Sequence, residues 1–274
     1  MRSTTVKPAE KAHRISVLAA GFALTVAGWA VMWGVVSFWN PIAFAAMWTG
    51  AAVLMWSAST SGYPGLRRHL ALALVSIPLW WWFELVDTRT ENWSYVNPFS
   101  PSPLWYALLS SIAFATVVPA ITSATALVRR FFPGDPLLSE ASTRFAWTEI
   151  GAAILLQALV FTFPRQMYPF VWVAPFLLLD GVGALLNGRG LGADLVRGRW
   201  REAAVIATAG LMCGVLWEFW NYWAVPSWEY SVPLLGFLKV FEMPLLGYLG
   251  YIPFAWSIVR LVEVLDALWA RRAT

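Results

Sequence analysis

Two glutamates sit in matching polar clusters within otherwise apolar sequence, and their spacing is what chemistry would need. Trp82-Phe83-Glu84-Leu85-Val86-Asp87 is followed by Trp93-Ser94-Tyr95-Val96-Asn97-Pro98, and Trp217-Glu218-Phe219-Trp220-Asn221 by Trp228-Glu229-Tyr230-Ser231-Val232-Pro233. Each Glu precedes an Asp or Asn by three residues, so on a helix the two polar groups share a face. Glu84 lies 35 residues before Pro119 and Glu218 lies 35 before Pro253, so the register survives across the loop. A carboxyl in an apolar helix is costly and turns inward to find partners. Burial and a second carboxyl nearby each favour the protonated form of such a group, and a carboxylic acid kept neutral is a competent general acid. Glu84, Asp87, Glu218 and Asn221 are therefore expected to line one cavity as catalytic candidates, with Glu218 or Glu84 as proton donor. The alternative role for the glutamates is a hydrogen-bonded tie between the two halves.

Glu242, one turn after Lys239, has no counterpart in the first half, where Leu108 and Trp105 stand. It is either a site residue that breaks the symmetry or half of an interfacial ion pair. Asp180, in Leu177-Leu178-Leu179-Asp180-Gly181, must cap or pair locally or join the site. The chain carries 19 Trp, more than anchoring two membrane interfaces requires. Trp82, Trp93, Tyr95, Trp217, Trp220, Trp228 and Tyr230 crowd the acidic positions and are the candidate ligand-binding residues. Aromatic faces stabilise cations and make flat walls for apolar ligands.

The elements that must position these residues are membrane helices. The chain is 59% hydrophobic and 12% charged, with a mean hydropathy of +0.61. A crossing takes about 20 apolar residues, and eight segments qualify: 15–38, 42–60, 69–88, 103–128, 146–164, 168–187, 202–223 and 235–268. The last is too long for a straight crossing, and Pro244 and Pro253 are expected to break it. The fold class is thus all-α integral membrane, with two parallel four-helix repeats. Residues 15–130 form the first repeat and 146–268 the second, joined by the Pro- and Gly-rich linker 131–145, with tails at 1–14 and 269–274. An even number of spans per repeat puts the pseudo-symmetry axis along the membrane normal. With the N-terminus inside, 16 of the 19 Lys and Arg fall in cytoplasmic segments, as the positive-inside rule expects. That distribution predicts an inner-membrane protein with both termini cytoplasmic and the Trp93–Pro98 and Trp228–Pro233 loops outside. The net charge of +4 sits against anionic headgroups and calls for no nucleic acid.

Several chemistries are set aside. The two histidines, His13 and His69, lie at the cytoplasmic edge, which argues against haem ligation and di-iron sites. There is no Cys–His zinc pattern, no phosphate-binding Gly loop and no nucleophile elbow. Asp-rich diphosphate–magnesium motifs are absent too, so no metal or cofactor is expected. Cys213 is the single cysteine and is expected to pack as a small hydrophobe.

The run Trp217-Glu218-Phe219-Trp220-Asn221-Tyr222-Trp223-Ala224, continued by Lys239-Val240-Phe241-Glu242-Met243-Pro244-Leu245-Leu246-Gly247-Tyr248-Leu249-Gly250, resembles a bacterial family of Trp-rich polytopic membrane proteins. That likeness carries no activity with it, and Trp256 stands where the family would have an acidic residue after Pro253-Phe254-Ala255. Trp217-Glu218-Phe219, followed by Pro226, is also similar to the membrane-embedded terpene cyclases of fungal meroterpenoid and indole-diterpene pathways. That resemblance implies protonation of an epoxide by an intramembrane acid at Glu218, while a second acid at Glu84 rests on the repeat alone. The expected function is an enzyme acting on an apolar, isoprenoid lipid. A proton-coupled permease and a non-catalytic lipid-binding scaffold are the rivals. An occluded pocket favours the enzyme, a path between both aqueous sides favours transport, and the lack of a cavity favours a scaffold.

Overall fold

The computed structural model describes residues 8–134, 136–233 and 236–272. Arg2 and Lys7 of the N-terminal tail and the last two residues of the C-terminal tail lie outside the described residues. Eleven α-helices account for most of the rest: α1 (Pro8–Gly34), α2 (Asn40–Ala58), α3 (Leu66–Thr90), α4 (Pro103–Phe114), α5 (Val117–Arg129), α6 (Thr143–Thr162), α7 (Pro164–Met167), α8 (Phe170–Asn187), α9 (Leu191–Val196), α10 (Arg201–Asn221) and α11 (Tyr251–Arg272). Eight stretches among them are long and apolar enough to cross a membrane, with α4 and α5 forming one span and a 3₁₀ turn, Leu245–Gly250, opening the last. The protein is an all-α, multi-pass membrane protein.

The last span corrects the sequence-based expectation. It begins at Leu245 rather than near 235. Before it, Lys239–Val240 (β3) and Met243–Pro244 (β4) form a small hairpin. Pro253 does not break the helix, because it lies in the first turn of α11, where no intrahelical N–H partner is lost. The break falls two residues earlier, between the 3₁₀ turn and Tyr251. The fourth span breaks at the equivalent place, between Phe114 and Val117. Ser76 of α3 satisfies that interruption: its hydroxyl donates to the Phe114 carbonyl and accepts from Val118 N at 3.1 Å. Interrupted helices are tolerated at membrane depth only when freed backbone groups find such partners.

Helix packing recurs in matching pairs. α1 packs on α2 as α6 packs on α8, and α2 meets α4 and α5 as α8 meets α11. Across the halves, α3 touches α6 and α10 touches α1. Trp33 Nε1 donates to the Trp220 carbonyl at 3.1 Å, and Arg89 donates to the Phe161 carbonyl at 3.2 Å. Close approach depends on small residues, as in membrane bundles generally. A Cβ at Gly50 would lie 2.5 Å from the Gly21 carbonyl oxygen of α1.

The two Trp-x-Tyr loops pair with each other. Trp93–Val96 (β1) and Ser227–Tyr230 (β2) form an antiparallel ribbon with Trp93 opposite Tyr230, Ser94 opposite Glu229 and Tyr95 opposite Trp228. Trp93 corresponds to Trp228 and Tyr95 to Tyr230, so the register is itself two-fold symmetric. The opposite end of the bundle is arginine-rich. There Arg68 pairs with Asp266 through two 2.6 Å bonds, Arg129 with Glu202, and Arg14 and Arg130 bond the carbonyls of Ser57 and Ala58.

Candidate functional site

Under the ribbon lies a cavity of about 260 Å³. Its walls come from equivalent positions of the two halves: Pro41 and Pro169, Phe44 and Trp172, Trp93 and Trp228, Tyr95 and Tyr230, Val117 and Tyr251. The site therefore straddles the repeat. Cross-half ring contacts obey the same symmetry, since Trp172 of α8 stacks on Trp93 at 5.9 Å while Phe44 of α2 meets Trp228 edge-on at 6.0 Å. Phe254 breaks it, standing where the first half has Ala120. Its ring lies 5.3–6.3 Å from those of Trp80, Phe83, Trp172 and Trp217.

Behind each wall a glutamate gathers aromatic donors. Glu84 Oε1 accepts from Trp80 Nε1 at 2.8 Å, Trp93 Nε1 at 3.2 Å and Tyr95 OH at 2.6 Å. Glu218 Oε1 accepts from Tyr230 OH at 2.7 Å and Tyr251 OH at 2.9 Å. The Trp228 indole is 3.5 Å from the same oxygen and makes its shorter bond, 2.9 Å, to Tyr230 OH. Glu218 is 0% exposed, and its Oε2 has no hydrogen-bond partner among the described residues. Burial, then the adjoining Glu84 carboxyl, holds the Tyr95 phenol well above the usual tyrosine range. Burial and Glu218 do the same to Tyr230. Both phenols therefore remain donors at any physiological pH.

Three sequence-derived expectations need correction here, and a fourth residue, Glu242, takes one of its two alternatives. The two glutamates do not form the cavity surface: Tyr95, Trp80, Tyr230 and Tyr251 stand in front of them. Asp87 takes no part in it either, because its carboxylate accepts from Asn92 N at 2.8 Å and Thr90 Oγ1 at 3.1 Å, closing the turn into β1. Asn221 serves β2 in the same way, its amide donating to the Trp228 carbonyl at 2.7 Å and its oxygen accepting from Trp228 N at 2.9 Å. Glu242 pairs with Lys239 at 3.6 Å on the β3–β4 hairpin, the ion-pair alternative.

Of the aromatic candidates, Trp93, Tyr95, Trp217, Trp228 and Tyr230 face the cavity. Trp82 instead is 39% exposed on the outside of the bundle. Trp220 is buried against Trp48, with ring centroids 4.8 Å apart. Sequence reasoning missed Tyr251 and Trp172. Tyr251 is separated from Glu218 by 33 residues, and the only available signal was the repeat itself, which puts it opposite Val117.

Asp180 finds its partner at the arginine-rich end. It pairs with Arg260 Nε at 2.6 Å, both groups buried, and accepts from Leu191 N and Gly192 N at 2.8 Å each. It lies outside the aromatic site. Cys213 packs in the core with its sulfur 3.7 Å from the Ala120 carbonyl oxygen.

Comparison with protein-family models, with curated proteins and with solved structures gives no match for this chain.

Proposed function

We propose that this protein is an integral-membrane enzyme that takes an apolar, isoprenoid lipid into the aromatic cavity and starts its reaction by protonation. The observation that carries the proposal is the pairing of an aromatic cavity with a glutamate–phenol hydrogen bond in each wall. A mostly apolar pocket with a few convergent polar groups is the usual form of a small-molecule site. Phenols at the surface can hand a proton inward while a buried carboxyl supplies it. In this reading Tyr230 and Tyr251 touch the ligand and Glu218 is the acid behind them. Trp80, Trp93, Trp217 and Trp228 supply the faces against which a positive intermediate rests. The arginine-rich end would face the cytoplasm of a bacterial inner membrane, with both termini inside, in keeping with the positive-inside rule.

A strain lacking the gene should accumulate an apolar lipid that the parent converts. Wild-type protein should restore the parental lipid profile. Glu218→Gln should not, although its expression and thermal stability stay near wild type, because Gln keeps the shape and loses the acid. Full restoration by both Glu84→Gln and Glu218→Gln would remove acid catalysis from consideration.

One observation favours proton-coupled transport as the second reading. Glu149, buried and with Oε2 unpartnered among the described residues, reaches the same point at Gly192 as Asp180 does. That puts a second buried carboxyl site at the far end of the bundle. Proton uptake into proteoliposomes driven by a solute gradient would support it.

A further inference from the structure

The two carboxyl sites share a plan but not a third partner. Counting 134 residues on, Trp80 corresponds to Gly214 and Val117 to Tyr251. The first half has a large residue then a small one, and the second a small one then a large one. Each arrangement brings one aromatic donor to its glutamate, Trp80 at 2.8 Å or Tyr251 at 2.9 Å. The exchange is mutually dependent, because a Cβ on Gly214 would collide with the Tyr251 ring.

The chemical consequence lies in the donors. An indole N–H only donates, whereas a phenol donates and accepts and can pass a proton on. Glu84 is held by two indoles and one phenol. Both close donors to Glu218 are phenols, both face the cavity, and the other carboxyl oxygen is buried without a partner among the described residues. We infer that the halves have specialised into a proton-delivering pole, Glu218 with Tyr230 and Tyr251, and a cation-holding pole, Glu84 fixed by Trp80, Trp93 and Tyr95. The ligand class that fits is an apolar chain with one basic centre, an alkene or an epoxide, that becomes positively charged between the poles. This inference rests on the acid chemistry proposed above.

The step balances without another reactant. In its acid form Glu218 donates from Oε1 to one phenol oxygen. That phenol turns its O–H to the ligand, gives its proton to the alkene carbon or epoxide oxygen to form a C–H or O–H bond, and takes the Glu218 carboxyl proton in the same movement. Glu218 is left as carboxylate and the ligand as a cation, held by the ring faces and the Glu84 carboxylate. Loss of a proton from the ligand through the phenol returns Glu218 to its acid form.

The test uses the full chain in nanodiscs and two probes of one shape. Dodecyltrimethylammonium carries a positive charge, and 2,2-dimethyltetradecane is its neutral counterpart; binding of both is followed by isothermal titration calorimetry. The cation should bind at least about tenfold more tightly than the neutral probe, on Coulombic and cation–π grounds. Glu84→Gln should erase that preference while neutral-probe binding stays unchanged, and Glu218→Gln should leave the preference in place. Equal loss in both variants, or loss with Glu218→Gln alone, would overturn the specialisation while neutral binding leaves the apolar-ligand reading standing. Binding of neither probe to the wild type would overturn both. Tyr251→Phe supplies an independent arm: it should keep the cation preference and fail to restore lipid conversion in the deletion strain. Full restoration would overturn the phenol's part in delivery.

Discussion

At the scale of single residues, position in the repeat matters less than what each polar atom is bonded to. Asp87 and Asn221 look like site groups in the sequence because each shares a helix face with a glutamate. Their oxygens are spent on backbone N–H groups within the next seven residues, a competition that short polar side chains commonly win. Spacing along a helix shows which groups share a face and says nothing of which partner is nearer. The glutamates could be read as inward-facing carboxyls, and the two Trp-x-Tyr signatures contained Trp93, Tyr95 and Tyr230 among their donors. Tyr251 was not legible, because it comes from a helix far along the chain. These assignments make opposite demands on substitution. Asn221→Ala removes two bonds that hold β2 and leaves a half-buried backbone N–H and carbonyl short of partners, at a cost toward the lower end of roughly 1–3 kcal/mol each. Thermal unfolding of the purified variant should show a clear loss, and an unchanged midpoint would contradict the tethering role. Glu218→Gln, by contrast, should leave the midpoint near wild type.

At the scale of elements, the helices were legible and the ribbon was not. Apolar runs of about 20 residues announce spans by length alone, and all eight were found within a few residues, apart from the start of the last. The pairing of β1 with β2 joins segments more than 130 residues apart, and short-range pattern carries no record of a partner at that distance. The prolines marked the last span's divisions only approximately: Pro244 stands immediately before the 3₁₀ turn, and Pro253 belongs to the first turn after the break. The ribbon is what sets Tyr95 and Tyr230 over their glutamates, so its register can be tested by chemistry. Ser94 and Glu229 are opposite each other and exposed. Paired residues on antiparallel strands have Cα atoms about 4.5–5.5 Å apart, inside the range that a disulfide bridges. The double variant Ser94→Cys, Glu229→Cys should form an intramolecular disulfide on mild oxidation, seen as a reducible shift in gel mobility. Cys213 is buried and should not compete. A pair shifted by one residue, Ser94→Cys with Trp228→Cys, should cross-link far less, and a reversal of that order would refute the register.

At the scale of the whole molecule, the two ends of the bundle divide the labour. One end holds the aromatic site under the ribbon, with the Lys239–Glu242 pair beside it; the other holds the arginine ion pairs, among them the buried Asp180–Arg260 bridge between α8 and α11. The same division explains why topology can be read from charge. Arg67 and Arg68 begin α3, Arg129 and Arg130 end α5, and Arg189, Arg197, Arg199 and Arg201 lie between α8 and α10 or at their ends, so the helix order gathers them at one end. On the ribbon side, Arg89, Arg165 and Lys239 are the basic residues that the chain order places there. Moving a short loop across the membrane against its arginines is unfavourable, which predicts that the charge-rich end faces the cytoplasm. Fusions of green fluorescent protein and of alkaline phosphatase after Arg130 and after Ser231 measure this directly. Fluorescence without phosphatase activity is expected after Arg130, where four spans have been completed. Phosphatase activity without fluorescence is expected after Ser231, beyond the seventh span and on the ribbon side. The same compartment for both would break the eight-span order itself, because an odd number of crossings separates the two points. A reversed pair would keep that order and invert the molecule, opening the aromatic cavity toward the cytoplasm.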